Sequence, residues 1–488
     1  MTGPFTPETY QSGDGNVNVP ITVGRLGQPV RFGGGTEWYG EGSSITLAER
    51  PSASDFGRGQ WAVGTNLYIS DGNVWSDDLN DIGVAGTMGF GLGINPDLPG
   101  FYNEMVGTRD PLHDNYGNYI GNDGSISVYI PVHYCKYGTG SNGLSVNIVD
   151  IKPYSYFNTE TDANLVGYFI PRAFYNAGTV RQGVFVDKYE CSNNGGIASS
   201  IKLGLPLSSS AAHNPFSGLN GTPTNAYHGS IAAVKTRGAA FFTPTVFIYH
   251  MIAMLSLAHG QAATSITQCD WYDATGVKNF PKGNNNNALG DINDATLTFV
   301  SDGFPNSSKT GSANNLAKTT HNGQANGIVD LNGNMNEVAL GITSDGTNFY
   351  LLKTSVDAAA LTAGVTLATD AWGATGIAAQ YDSLGTTYES LTASSTAKLI
   401  GNAAQVFSDS VTGTAWAAAG AGIPLVGGTG GTNMFGNDRV YDYRTDLMCP
   451  IVGGGWGFGA TAGVFMLDIS ANRGASTTSA GFRAALFI

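Results

Sequence analysis

Short runs of alternating apolar and polar residues dominate the chain, and glycine, asparagine or aspartate interrupts them every few positions. In GQWAVGTNLYISDGNVWSDD, Gly59 to Asp78, Trp61, Val63, Leu67 and Ile69 fall on either side of a Gly64-Thr65-Asn66 break, and Asp71-Gly72-Asn73 then turns toward Val74-Trp75. An Asp-Gly pair between apolar alternations predicts a hairpin. Two longer alternating runs, Ser125–Tyr134 and Leu144–Ile151, predict further strands. The period changes once, at FFTPTVFIYHMIAMLSLAHG, which is apolar on almost every face and predicts a deeply buried helix. Thr243 is placed as its N-cap, Pro244 at its first position and Gly260 as its stop. At about 16 residues it is too short to cross a bilayer. The stretches 280–326 and 341–440 are rich in Asn, Gly, Ala and Thr, show no steady period, and read as long insertions on a scaffold.

This pattern predicts a mostly β, multi-domain protein. The expected division is a β-rich module over 1–100, an intermediate β-sandwich-like module over 101–165, and an α+β domain with long insertions over 166–488. Composition sharpens the picture. Charged residues are 12% of the chain and apolar ones 42%, while 69 of 488 residues are glycine, about twice the usual share of roughly 7%. Sparse charge with abundant Gly, Asn, Ser and Thr points to loop-rich, hydrogen-bonding surfaces of the kind found outside cells and on virions. The net charge is −14, with no basic stripe for a nucleic acid or an anionic membrane. No run of about 20 apolar residues is present, so no membrane insertion is expected. The N-terminus, MTGPFTPETYQSG, lacks the basic start and apolar run of a signal peptide.

Candidate chemistry is thin. Cys135, Cys191, Cys269 and Cys449 are far apart and form no CxxC; separate buried thiols are expected, with one long-range disulfide left open. Gly89-Phe90-Gly91-Leu92-Gly93 lacks the βαβ surroundings of a phosphate loop. The seven histidines form no metal-ligand spacing, and neither GxSxG nor HExxH occurs. Asp330-Leu331-Asn332-Gly333-Asn334-Met335-Asn336-Glu337 places oxygens at alternate positions like a calcium loop, but lacks the remaining ligands. It reads better as a Gly-centred turn whose Asn and Asp side chains satisfy the backbone. Neither a cofactor nor a metal is expected.

Four segments nevertheless follow one another in a specific order: GVFVDKYECSNN (183–194), the Pro244 helix, DLNGNMNEV (330–338) and GGGW…GFR (453–483). This order resembles the formylglycine-generating-enzyme version of the C-type lectin fold. Phe185, Asp187, Tyr189, Glu190 and Asn193 match that family's first motif. Gly333, Asn334, Met335, Asn336 and Glu337 match its Gly-Asn turn, with Asn336 in place of a Trp. Gly454, Gly455, Trp456, Gly481, Phe482 and Arg483 match its closing motif. The enzyme branch of the family needs a cysteine pair in the closing segment; none lies between Gly453 and Ile488, and Cys449 stands just upstream alone. No enzyme activity is expected.

The other branch, the variable proteins of diversity-generating retroelements, includes receptor-binding proteins of phage tail fibres. Likeness to it implies a homotrimer on the virion, at a tail fibre or tail tip. The 1–100 module would attach it to other tail or baseplate proteins, and the C-terminal domain would bind a host cell-surface receptor, protein or glycan. It further implies a displayed ligand-binding surface at Gly455, Gly457, Phe458, Gly459, Thr461, Asp468, Ser470, Ala471, Ala475, Thr477, Ser479 and Ala480. Trp456, Phe482, Arg483 and Glu337 would be scaffold. Two alternatives stand beside this reading: a structural or decoration protein of the virion, and a glycan-cleaving enzyme using Asp187, Glu190 or Glu337 for acid–base work.

Overall fold

The computed structural model describes residues 96, 98–109, 113–219, 222–262, 270–271, 280–361, 377–385, 396–400, 405–425, 435–443 and 448–488, together with the backbone of seven short strands within 1–95. The chain is strand-rich with few helices. The two strands expected on either side of Asp71-Gly72 are paired: Asn66–Ser70 runs antiparallel to Trp75–Asp78, and Gly59–Val63 pairs antiparallel with the other edge of Asn66–Ser70, Val63 opposite Asn66. Residues 71–74, the Gly89–Gly93 cluster and Cys269 lie outside the described residues.

A five-stranded antiparallel sheet organises the rest, in the order Ala485–Phe487, Gly183–Asp187, Ile126–Pro131, Asn118–Gly121, Tyr102–Glu104. Its second strand, GVFVD, is apolar without alternation because both faces are covered; Val184, Phe185 and Val186 are fully buried. Phe185 stacks on Tyr102 at 4.4 Å. The sheet draws strands from both sides of the boundary expected near 165, and one continuous core runs from Tyr102 to Leu486.

The strand expected over Ser125–Tyr134 breaks at Val132, whose N–H goes to the Gln182 carbonyl at 2.9 Å. His133–Tyr137 then leaves the sheet to pair with Val149–Pro153. That partner begins later than expected, because Asn147 takes a left-handed φ of 61° and Ser145–Ile148 closes a turn.

The buried helix spans Val246–Ala262 and packs against the strands Gly463–Asp468 and Val149–Pro153. It starts later than its sequence signals suggest. Pro244 stays extended because the Thr245 segment bridges Leu340 in parallel: the Leu340 N–H meets the Pro244 carbonyl, and the Val246 N–H meets the Leu340 carbonyl at 2.7 Å. The Thr245 carbonyl takes the first helical N–H groups, and Gly260 lies within the last turn instead of ending it.

A six-stranded mixed sheet runs Thr396–Leu399, Arg439–Asp442, Gly463–Asp468, Ile451–Gly453, Asn336–Val338, Ala480–Gly481. A three-stranded sheet, Ile342–Ser344, Phe349–Leu352 and Tyr381–Gly385, flanks it. The two stretches read as insertions are therefore not appended loops. The second supplies strands, and the first has buried segments, Phe280–Asn285 and Thr319–Gly323 among them.

Candidate functional site

The four segments ordered in the sequence meet at one buried cluster. Pairing of Gly183–Asp187 with Ala485–Phe487 brings the first motif beside the last, and Asn336–Val338 lies between Ile451–Gly453 and Ala480–Gly481. At their junction the Arg483 guanidinium grips the Glu337 carboxylate with two N–H groups; Nε donates to Oε2 at 2.5 Å. Its remaining N–H groups go to the carbonyls of Asp187, Lys188 and Val329 at 3.0–3.3 Å. Burial alone works against the Arg483 charge, but Glu337 beside it holds the pKa above the ordinary value. Tyr249, from the central helix, donates to Glu337 Oε2 at 2.6 Å.

Glu190 accepts from Asn334 Nδ2 at 2.7 Å and from the Met335 N–H at 3.2 Å. Burial, with Asp330 and Glu337 near, pushes its carboxyl well above the carboxylate range. Asp187 accepts from Arg237, Ser127 and the Ala484 N–H. Each of the three carboxyls considered for acid–base work is thus buried and held by protein donors.

The Asp330–Glu337 segment is the Gly-centred turn expected. Asp330 and Asn334 take left-handed φ values of 58° and 59°, and Gly333 has φ 82° with the Asn284 carbonyl 2.2 Å from where a Cβ would stand. Asp330 accepts from the Thr310 hydroxyl and the Gly311 N–H; burial raises its pKa. Asn332 donates to the Pro281 carbonyl, and Asn334 Oδ1 accepts from Asn284 and Ser308. Asn284, Asn285 and Asn332 are all nearly or fully buried. The 280–326 stretch therefore works as an asparagine-built bracket around this turn. Asparagine supplies both donors and acceptors where no ladder can.

The closing segment leaves this cluster and returns to it. At its start the Gly453 carbonyl accepts from the Gly333 N–H, the Trp456 N–H goes to the Asn334 carbonyl, and the Gly459 N–H goes to the Asn285 carbonyl at 2.8 Å. At its end, Ser209 holds Thr477 and Ala480 by three hydrogen bonds, and Arg483 locks the exit. Between these anchors Gly457, Asn472, Ser476 and Thr477 are exposed, and Phe458, Gly459, Thr461, Ser470, Ala471, Ala475 and Ser479 are half-buried. The Arg439 guanidinium sits 4.7 Å over the Phe458 ring.

Three of the expected surface positions turn inward: Gly455, Asp468 and Ala480 are buried. Asp468 is in strand Gly463–Asp468, and its carboxylate accepts the N–H and hydroxyl of Ser470 at 2.8 and 2.6 Å; burial raises its pKa. Among the scaffold residues, Glu337, Phe482 and Arg483 are fully buried, whereas Trp456 is half-buried. Trp456 shares an aromatic group with His213 and Phe304, at centroid distances of 5.9 and 5.8 Å. His213 bonds Asp302 at 2.7 Å and the Thr478 carbonyl at 2.6 Å. No local pattern marks the His213–Asp302 pair, because its members lie 89 residues apart.

Cys135, Cys191 and Cys449 are buried free thiols, each pushed up by burial. No helix among the described residues is long and apolar enough to cross a membrane. Compared with known protein families and with characterised proteins, the chain matches none of them.

Proposed function

We propose that this protein is a non-enzymatic receptor-binding protein of a phage tail fibre or tail tip, and that it recognises a host surface ligand through segment 453–483. The observation that carries this reading is the construction of that segment. Both ends are fixed in a buried, hydrogen-bonded cluster and the strand Gly463–Asp468 between them is core, while the stretches 456–461 and 470–479 on either side of that strand bring most of their residues to the surface. Such a layout suits recognition, since side chains in the middle can differ without disturbing the anchors. The motif order supports the same reading, because the segments that resemble C-type lectin-like variable proteins are the ones that meet here. The enclosed, partnered state of Asp187, Glu190 and Glu337 favours structural roles for them over acid–base catalysis.

The displayed positions are mostly small, so each copy binds weakly, and trimeric display raises effective concentration. The test uses the full-length labelled protein on a panel of bacterial cells, beside a Gly457→Lys/Thr477→Lys double variant. Both positions are exposed, a Cβ on Gly457 meets nothing closer than 3.7 Å, and Ser209 holds Thr477 through its backbone alone, so folding is preserved. Saturable binding to some strain, lost in the variant, supports the reading. Binding that the variant retains, or no binding to any strain, overturns it.

A further inference from the structure

A cleft of about 320 Å³ opens between the strands Phe349–Leu352 and Tyr381–Gly385 on one side and the helix Gly413–Gly420 on the other. It shares no residue with segment 453–483. Its size falls within the range of about 300–1,000 Å³ typical of small-ligand sites. We infer that this cleft binds a neutral hexose unit of a glycan.

The lining argues for that class. Trp416 contributes an aromatic ring, with the Tyr175 ring nearly perpendicular to it at 5.3 Å. Its indole Nε1 is shielded from water and has no hydrogen-bond partner among the described residues. Around the ring stand the hydroxyl residues Thr354, Ser383 and Thr414 and the carboxylate of Asp382. The Asp382 side chain is 72% exposed, and Lys353 approaches it only to 3.8 Å. The helix begins at Gly413 with φ 76° and no atom within 4 Å of a Cβ position, which keeps the mouth clear.

A pyranose meets this set. One face of the sugar is made of C–H groups that stack on an indole, and its hydroxyls donate to a carboxylate and exchange hydrogen bonds with side-chain hydroxyls. Charged ligands fit less well. The Arg172 guanidinium is committed to the carbonyls of Leu352 and Tyr175 and lies 4.5 Å over Phe247, so it offers little to an anion, which Asp382 would repel. A quaternary ammonium prefers several ring faces, whereas Trp416 is the one aromatic residue lining this cleft among the described residues.

The test titrates the full-length protein with the methyl glycosides of glucose, galactose, mannose and N-acetylglucosamine, and with tetramethylammonium, each to about 50 mM, the range where single-sugar affinities fall. Ligand-observed NMR reads binding. At least one glycoside is expected to bind, with affinity about tenfold or more weaker in Trp416→Ala and in Asp382→Asn. Trp416→Phe should retain stacking and lose only part of the affinity. Asp382→Asn is an exposed change, so it guards against a result caused by misfolding. The inference is overturned if no glycoside binds, if the variants bind as well as the parent, or if only tetramethylammonium binds. The Gly457→Lys/Thr477→Lys variant should bind the glycoside normally, which separates this result from the test of segment 453–483.

Discussion

Arg483 and Glu337 show how much rests on single side chains. A buried pair that loses one member leaves the other charge without its partner, at a cost of about 3–5 kcal/mol. Arg483→Met should therefore lower unfolding free energy by about that amount in urea titrations. Adding Glu337→Leu should recover only part of the loss, because the carbonyls of Asp187, Lys188 and Val329 would still lack their donors. Titration provides a second check. Burial lowers the pKa of His133 to about 4 and of His250 to about 3. Below about pH 6.5, the unfolded chain binds protons that these folded sites refuse, so stability falls as the pH drops from there toward 4. The effect for His133 alone approaches about 3 kcal/mol near pH 4. His250→Phe, set among the rings of Phe407 and Phe465, should flatten the acid limb of the stability curve. Glu190 acts in the opposite sense. Its raised pKa means the folded state keeps a proton that the unfolded chain releases, so its contribution is lost as pH rises above the ordinary carboxyl range. Stability curves of Glu190→Gln against the parent should diverge in that direction.

At the level of elements, local pattern was a good guide where one period governs a segment and a poor one where long-range pairing overrides it. The strand pair at 66–78 and the buried helix were legible from alternation and from uniform apolarity. The start of the helix was not, because the Thr245–Leu340 bridge sets it. The strand break at Val132 was likewise hidden, being dictated by Gln182. The 280–326 stretch misled for a different reason. Asparagine-rich sequence resembles a solvated loop, yet the Asn284 and Asn285 amides are buried here and donate to Asn334 and Asn332 of the 330–337 turn. The convergence of the Glu190, Tyr249, Glu337 and Arg483 segments was legible only as motif order, while the inward turn of Asp468 and the His213–Asp302 pair were not. The turn itself tolerates little. Gly333→Ala brings a side chain into the Asn284 carbonyl at a left-handed φ, and a loss of about 3 kcal/mol or more is expected in thermal or urea unfolding.

On the scale of the molecule, the five-stranded sheet decides where the chain can be divided. Three of its strands, Tyr102–Glu104, Asn118–Gly121 and Ile126–Pro131, come from before residue 165, and they cover the strand Gly183–Asp187 on one side. A chain beginning at 166 would expose that apolar strand as an edge, whereas one beginning at 96 keeps the sheet whole. The shorter chain should therefore aggregate or melt without cooperativity, and the longer one should give a single sharp transition in circular dichroism. Binding studies of the closing segment need the longer piece.

The pairing of Ala485–Phe487 with Gly183–Asp187 also bears on how the protein is made. The two strands are separated by about 300 residues of chain, and such distant partners meet late and slowly. While the ribosome works through that interval, Gly183–Asp187 has no neighbour on its second side, and the nascent chain has to be kept from pairing with others. The sheet closes only after segment 453–483 has been synthesised, so no folding intermediate formed earlier can display it. The strand that completes the sheet follows segment 453–483 directly in the chain, so the two emerge from the ribosome together.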